Sequence, residues 1–310
     1  MGYKVISLLQ AGDFAREIDQ LVTTTVHSEW QVSYVNTASP EDRISLTHKT
    51  KPFSVALELY KNNQYLIPRI WAGDGYTSGF PGLVNSSYNN NTGGMDCRRV
   101  RFPCKLIIAF SNSYFACSIV NDSDNKELNV CATELNGLGQ REGLIGKYVT
   151  QPGGLQGNGS WDIGSFQVSH PQTGWAATHK TSVQQPDKKW YRQLNGADPF
   201  KISSPFPHPQ GTYSAFTHDP QAVDFMHFEQ SATTIFVPLF FTGERQDTPT
   251  GRELFFEANQ IRICATHYTR AGDMIEYQTQ KWCVIPWSEF PLSGQSNLKI
   301  GIAYQLSEGD

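Results

Sequence analysis

Two cysteines close residues 264–283, CATHYTRAGDMIEYQTQKWC, and are the first candidates for chemistry in this chain. A disulfide would require the two thiols to meet across neighbouring strands. A metal site would require converging His and Cys ligands, and His267 is the histidine nearby. Side chains alternate along both halves of the segment, which is typical of β-strands. We therefore expect two sheet strands with packed, reduced thiols, and the disulfide is the alternative.

Three histidines, His208, His218 and His227, lie in a proline-rich stretch and are the next candidates. Together with Asp219 or Asp224 they would supply the ligands of a two-histidine, one-carboxylate metal site. The sequence contains no HExxH motif and no pair of histidines at helical spacing. Isolated surface histidines are therefore the favoured interpretation, and we predict no metal.

Residues 136–160 are rich in glycine but do not match the motifs of phosphate-binding loops. Lys147 follows Gly146 but is itself followed by Tyr148 rather than Ser or Thr, and Arg141 stands where a P-loop needs glycine. No GxSxG elbow is present either. We predict a flexible surface loop here, and no catalytic residue or cofactor in the chain. A hydrolase whose residues meet only in the fold is a minor alternative.

Aromatic residues are concentrated in the irregular stretch around residues 161–216. Aromatic side chains are enriched at interfaces and at sugar- and lipid-binding surfaces. We predict that an interface or binding surface is formed by Trp175, Trp190, Tyr191, Phe206, Tyr213 and Phe216.

The composition limits the classes of function. Only 17 % of the 310 residues are charged, which is common in chains that bury surface against partners, and the net charge is −4. No basic patch for strong nucleic-acid binding is evident. No run of 18 apolar residues occurs, so no membrane span is expected.

The elements that would position these residues are mostly strands. Phe14, Ile18, Leu21 and Val22 predict a short helix that Asp13 caps. After this helix, apolar residues recur at every second position. "PFSVALELY" predicts a half-buried strand, and Pro68 places the next strand at an edge or bulge.

Two later segments predict core strands. "RFPCKLIIAFSNSYFACSIVND" predicts a hairpin that turns at Ser111, Asn112 and Ser113. "ATTIFVPLFF" predicts a buried strand with Ile235, Val237 and Leu239 in the core. We divide the chain into an N-terminal arm with a short helix (1–40), a single β domain (41–290) with an insertion at about 171–230, and a C-terminal extension (291–310).

The C-terminal third resembles a known family. "SATTIFVPLFFTG" is similar to the capsid-protein run of picorna-like positive-strand RNA viruses, of the insect-virus type, in which a strand enters the core. "LFFEANQIRICATHYTRAGDMIEYQTQKW" resembles their last two strands, with the Ala-Gly-Asp turn at residues 271–273. The two matching segments lie within residues 231–282.

The resemblance implies a mainly β jelly-roll β-sandwich of two packed antiparallel sheets with long loops. It implies a structural protein of an icosahedral virion, made in the host cytoplasm, and not an enzyme. The partners would be other capsid subunits, identical or different, loosely enclosed RNA and a host-cell receptor. The alternative is a lectin-like or membrane-active, toxin-type β protein that binds through exposed aromatic loops.

Overall fold

The computed structural model describes residues 1–38, 41–62, 65–87, 101–121, 126–150, 181–184, 186–192, 236–244, 252–266, 268–277, 279–286 and 300–306. These residues are mainly β-strand, and every pair of adjacent strands described is antiparallel.

The elements follow one another along the chain with one α-helix near the start and one 3₁₀ turn at Gly139–Arg141. They are β1 (Gly2–Leu8), α1 (Asp13–Thr24), β2 (Trp30–Asn36), β3 (Glu41–His48), β4 (Ser54–Asn62), β5 (Tyr65–Gly73), β6 (Gly75–Tyr76), β7 (Leu83–Val84), β8 (Cys104–Phe110), β9 (Tyr114–Asn121), β10 (Lys126–Gly137), β11 (Ile145–Thr150), β12 (Thr181–Gln184), β13 (Trp190–Arg192), β14 (Phe236–Glu244), β15 (Arg252–Ala265), β16 (Asp273–Tyr277), β17 (Gln280–Pro286) and β18 (Ile300–Gln305).

The strands form a large sheet, a small sheet and a two-stranded ribbon. The small sheet is the meander β2-β3-β4-β5, and β6 pairs with β7. The large sheet runs β1-β8-β9-β10-β15-β18-β17-β16, with β11, β12 and β13 branching from β10 and β14 pairing with β15. Strands β15 to β18 have the order of a Greek key, because β16, β17 and β18 lie side by side and β18 also pairs with β15, the strand that precedes them.

Strands β8, β9 and β10 are the middle layer of the molecule and are buried on both faces. One face packs against the small sheet and α1. The predicted hairpin is confirmed there: Phe110 pairs with Phe115, and their rings stack with centroids 5.5 Å apart. Trp30 closes this interface, and its indole N–H donates to the Ser111 carbonyl at 2.6 Å. Each large side chain buried here contributes about 1.5–3 kcal/mol.

The large sheet curls, so that β15, β17 and β18 face the opposite side of the middle layer. Tyr114 on β9 stacks on Tyr304 of β18 with centroids 5.6 Å apart, and its hydroxyl donates to the Gln305 carbonyl at 2.7 Å. The Tyr3 hydroxyl on β1 donates to the Gly272 carbonyl at 2.6 Å, which brings the two ends of the sheet together. The sheet is therefore a half-barrel around a second core.

Helix α1 is capped by a distant residue rather than by Asp13. Asp42, on β3, accepts from the backbone N–H groups of Gly12, Phe14 and Ala15 at 2.7, 3.1 and 2.9 Å. Asp13 is the first helical residue, and its carboxylate accepts from residues that precede the helix. Gly12, the N-cap, has φ +91°, where an added Cβ would lie 2.8 Å from the Thr37 carbonyl oxygen.

Both end segments of the chain contribute strands to the large sheet. Strand β1 pairs with β8 along its whole length, and Phe14, Ile18 and Val22 are buried against the small sheet. Strand β18 lies between β15 and β17, inside the large sheet. The division of the chain at residues 40 and 290 stays a prediction.

The structure tests three local predictions, which concern the burial of β4, the position of Pro68 and the glycine-rich residues from 136 onward. Strand β4 is buried on both faces, not half-buried, because residues 74–84 cover the face that carries Ser54, Ala56 and Glu58. Pro68 does lie in an edge strand, β5. Residues 136–150 are not a loop: they include the end of β10, a 3₁₀ turn and β11.

The predicted core strand is β14, which pairs with β15. Val237 lies opposite Ile263 and Leu239 opposite Ala258 in that pair. The burial of their side chains stays a prediction, and Ile235 lies outside the described residues.

Candidate functional site

The predicted aromatic surface is only partly within the described residues. Trp190 begins β13, but it is not exposed: its side chain is 7 % accessible, and its indole N–H donates to the Asn85 carbonyl at 2.7 Å. Aromatic character alone did not distinguish a core residue from a surface one. Tyr191 follows it in β13, opposite Val183. The remaining four, Trp175, Phe206, Tyr213 and Phe216, lie outside the described residues.

The two cysteines of residues 264–283 do not face each other. Cys264 lies on β15 and Cys283 on β17, with β18 between them. Both thiols are free and buried, as are Cys104, Cys117 and Cys131. Burial raises the pKa of Cys283 and Cys104 to about 12, so neither is a nucleophile at neutral pH. The expectation of packed, reduced thiols is confirmed for these five.

The candidate metal ligands His208, His218 and His227 lie outside the described residues. Within the ranges that the structure describes, no three His, Cys, Asp or Glu side chains are grouped so as to hold a metal ion. In those same ranges, no helix is both long and apolar enough to cross a membrane.

The described residues form a concave site of about 560 Å³, and most of its lining residues carry polar side chains. Its wall comes from the β3–β4 turn, the β8–β9 turn, strands β10, β11 and β15, and the turn before β13. Three lysines, Lys51, Lys147 and Lys188, and one carboxylate, Glu134, line it. Glu134 is paired with Lys51 and Asp74 with Lys147, so the positive charge of the site comes mainly from Lys188 at its rim.

The charged side chains are held by a chain of contacts. Lys51 donates to Glu134 at 2.6 Å and to the Asn112 carbonyl at 2.9 Å. Glu134 on β10 lies directly opposite Lys147 on β11. Lys147 in turn bonds to Asp74, whose carboxylate also accepts from Asn85 at 2.8 Å. Each ammonium that lies deep in the wall thus has a fixed position.

The buried pair behind the cavity has shifted pKa values. Burial lowers the pKa of Lys147, and the pair with Asp74 opposes this shift only in part. Burial raises the pKa of Asp74, but hydrogen bonds from Lys147, Asn85 and Gln184 outweigh it, so this pKa lies below its usual value. Each charge of this ion pair therefore favours the charged form of its partner.

An irregularity in β15 supplies the neutral polar groups of the wall. Pro238 on β14 pairs with Arg262, but the next residue, Leu239, pairs with Ala258. The strand residues between these two partners include Asn259 and Gln260, which line the cavity. The side-chain oxygen of Gln260 accepts from the hydroxyl of Ser113 at 2.7 Å and from that of Ser111. Such irregularities re-aim side chains and are frequent beside binding sites.

Sequence reasoning did not find this cavity. Lys147 was considered only as part of a P-loop, which it is not: it is a strand residue opposite Glu134. The lining residues come from segments that are distant in the chain, and their polarity alone does not separate them from solvated surface. The pairing of β10 with both β11 and β15 brings them together.

The second notable surface is strand β16, at the end of the large sheet. It pairs with β17, and no other strand among those described lies on its outer side. Met274 and Tyr277 on this strand are 47 % and 39 % exposed, and Tyr268 just before it is 74 % exposed. An exposed edge strand with apolar side chains can pair with another chain.

Comparison of the sequence with known protein families and with curated proteins finds no match.

Proposed function

We propose that the protein is a structural, non-catalytic subunit that assembles into a shell. The shell would be the capsid of a small non-enveloped icosahedral RNA virus, and the subunit a jelly-roll β-sandwich. The observation that carries the proposal is the exposed edge strand β16 with its apolar side chains. The antiparallel, mainly β fold and the resemblance of residues 231–282 to capsid proteins are consistent with it.

In this proposal the occupant of the edge is a second copy of this chain. Two antiparallel edge strands can pair about a two-fold axis, each copy using the same surface. The pair would cover Met274 and Tyr277, which are 47 % and 39 % exposed in the single chain. Contacts with different sister subunits would complete the shell, which would enclose RNA loosely.

Two lysine substitutions test the proposal. Lysine on an edge strand prevents strand-to-strand pairing, so Met274→Lys should block assembly and leave a folded subunit. Val26→Lys is the matched control, because Val26 is 77 % exposed but lies after α1, away from the sheet edge. The three proteins would be compared by electron microscopy and analytical ultracentrifugation, with extraction of nuclease-protected RNA.

The expected result is uniform round particles with protected RNA for the unmodified protein and for Val26→Lys, and dispersed subunits for Met274→Lys. An unmodified protein that stays monomeric at every concentration and salt condition would remove the proposal. Assembly of Met274→Lys as efficient as that of the control would show that β16 is not the assembly edge.

A further inference from the structure

We propose that the cavity between Lys51, Lys147 and Lys188 binds an acidic saccharide, a sugar ring that carries a carboxylate. This site is separate from the β16 edge and does not depend on shell assembly. The cavity volume of about 560 Å³ lies within the roughly 300–1,000 Å³ typical of small-ligand sites, so a ring with a substituent fits.

The charge of the wall favours a single negative charge on the ligand. Lys188 is exposed at the rim, and Lys51 lies further in, with its ammonium 2.6 Å from Glu134. Ammonium groups donate to a carboxylate through short, charge-assisted hydrogen bonds. Glu134 repels a second negative charge, which disfavours phosphate, with its charge of about −1.5 to −2.

The neutral groups of the wall match the rest of a sugar. Asn136 and Asn259 present amides, each of which can both donate to and accept from hydroxyls. Glu134 accepts from a hydroxyl as well. Pro52 and Ile145, the latter 47 % exposed, supply apolar surface against which the C–H face of a ring can pack. A simple anion would use only the lysines and leave these groups unused.

The binding test uses a pair of sugars that differ only in the carboxylate. Methyl β-glucuronide and methyl β-glucoside would be titrated against the full chain by saturation-transfer NMR, with inorganic phosphate as a third probe. The glucuronide should bind at least about tenfold more tightly than the glucoside, as expected for hydrogen bonds to a charged group. The same preference should hold for the Met274→Lys subunit, so that failure of assembly does not affect the result.

Adjacent lysines provide the matched variants. Lys188→Gln should weaken glucuronide binding by about three- to tenfold, because it removes one cation at the rim. Lys189→Gln should leave binding unchanged, because Lys189 is also exposed but does not line the cavity.

The proposal is overturned if the glucuronide does not bind, if the two sugars bind equally, or if phosphate binds more tightly than the glucuronide. Equal effects of the two lysine variants would also overturn it, since they would indicate a diffuse charge effect rather than binding in the cavity.

Discussion

Cys264 and Cys283 lie in the same sheet on either side of β18, and their side chains point to opposite faces. Cys264 packs with Trp282, Val284 and Ala303, whereas Cys283 packs in the half-barrel core with Tyr304. Two strand spacings amount to roughly 10 Å, which is beyond the reach of a disulfide. The cysteines that frame residues 264–283 are therefore independent core residues.

The first prediction concerns thiol reactivity. In a Cys97→Ser variant, the five buried thiols should not react with 5,5′-dithiobis(2-nitrobenzoic acid) at pH 8, and all five should react in guanidinium chloride. The reason is that burial excludes the reagent and raises the pKa of each thiol, so little thiolate forms. A thiol that reacts rapidly in the folded protein would show that its core is open.

The second prediction concerns helix α1. Phe14 is fully buried between the small sheet and the middle layer. Phe14→Ala should lower the free energy of unfolding by about 3–5 kcal/mol, because it removes contacts and leaves a cavity. Urea denaturation followed by circular dichroism measures this, with Gln20→Ala on the exposed face of the helix as control. Equal stability of the two variants would show that the N-terminal segment is the detachable arm that its sequence suggested.

The third prediction concerns the cap of α1. Asp42→Ala leaves the N–H groups of Gly12, Phe14 and Ala15 without their acceptor in a buried setting, where each unsatisfied group is costly. We expect a loss of about 2–4 kcal/mol in the free energy of unfolding. Asp42→Asn retains one acceptor oxygen and should lose less. Chemical denaturation of the two variants provides the comparison, and an Asn variant as unstable as the Ala variant would contradict this account of the cap.

Local pattern predicted the parts of the fold that depend on neighbouring residues. Alternation in residues 104–119 identified the faces of β8 and β9, because the side-chain period of a strand is two. The alternation predicted that β4 is half-buried, which is wrong. Residues 74–84 cover its second face, and such covering is a tertiary contact that local alternation does not reveal. Residues 273–286 form two strands, β16 and β17, which pair as a hairpin that turns between Tyr277 and Gln280.

The cavity was beyond sequence reasoning for the same physical reason. Lys51 and Glu134 are 83 residues apart in the chain, and the second acceptor of Lys51 is the backbone carbonyl of Asn112. No periodicity marks such a contact. Strand β14 pairs with the two halves of β15 in different registers, and the shift between them produces the irregularity at Asn259 and Gln260. No local sequence signal specifies this shift.

The last prediction concerns the ion pair of Asp74 and Lys147 behind the cavity. Asp74→Asn leaves the Lys147 ammonium buried without its counter-ion, so we expect a loss of about 2–4 kcal/mol in the free energy of unfolding at pH 7. The pKa of Asp74 is lowered in the folded state, so its stabilisation is present above the unfolded value of about 3.9 and is lost as the pH falls through the folded value.

The difference between Asp74→Asn and the unmodified protein should therefore shrink as the pH is lowered below about 3.9, because protonated Asp74 resembles asparagine. Urea denaturation at pH 7 and at several acidic pH values measures this difference, and Asp19→Asn on helix α1 is the control for loss of one carboxylate. A difference that is the same at all these pH values would mean that the cost of the substitution comes from packing, and that Asp74 does not hold Lys147 through its charge.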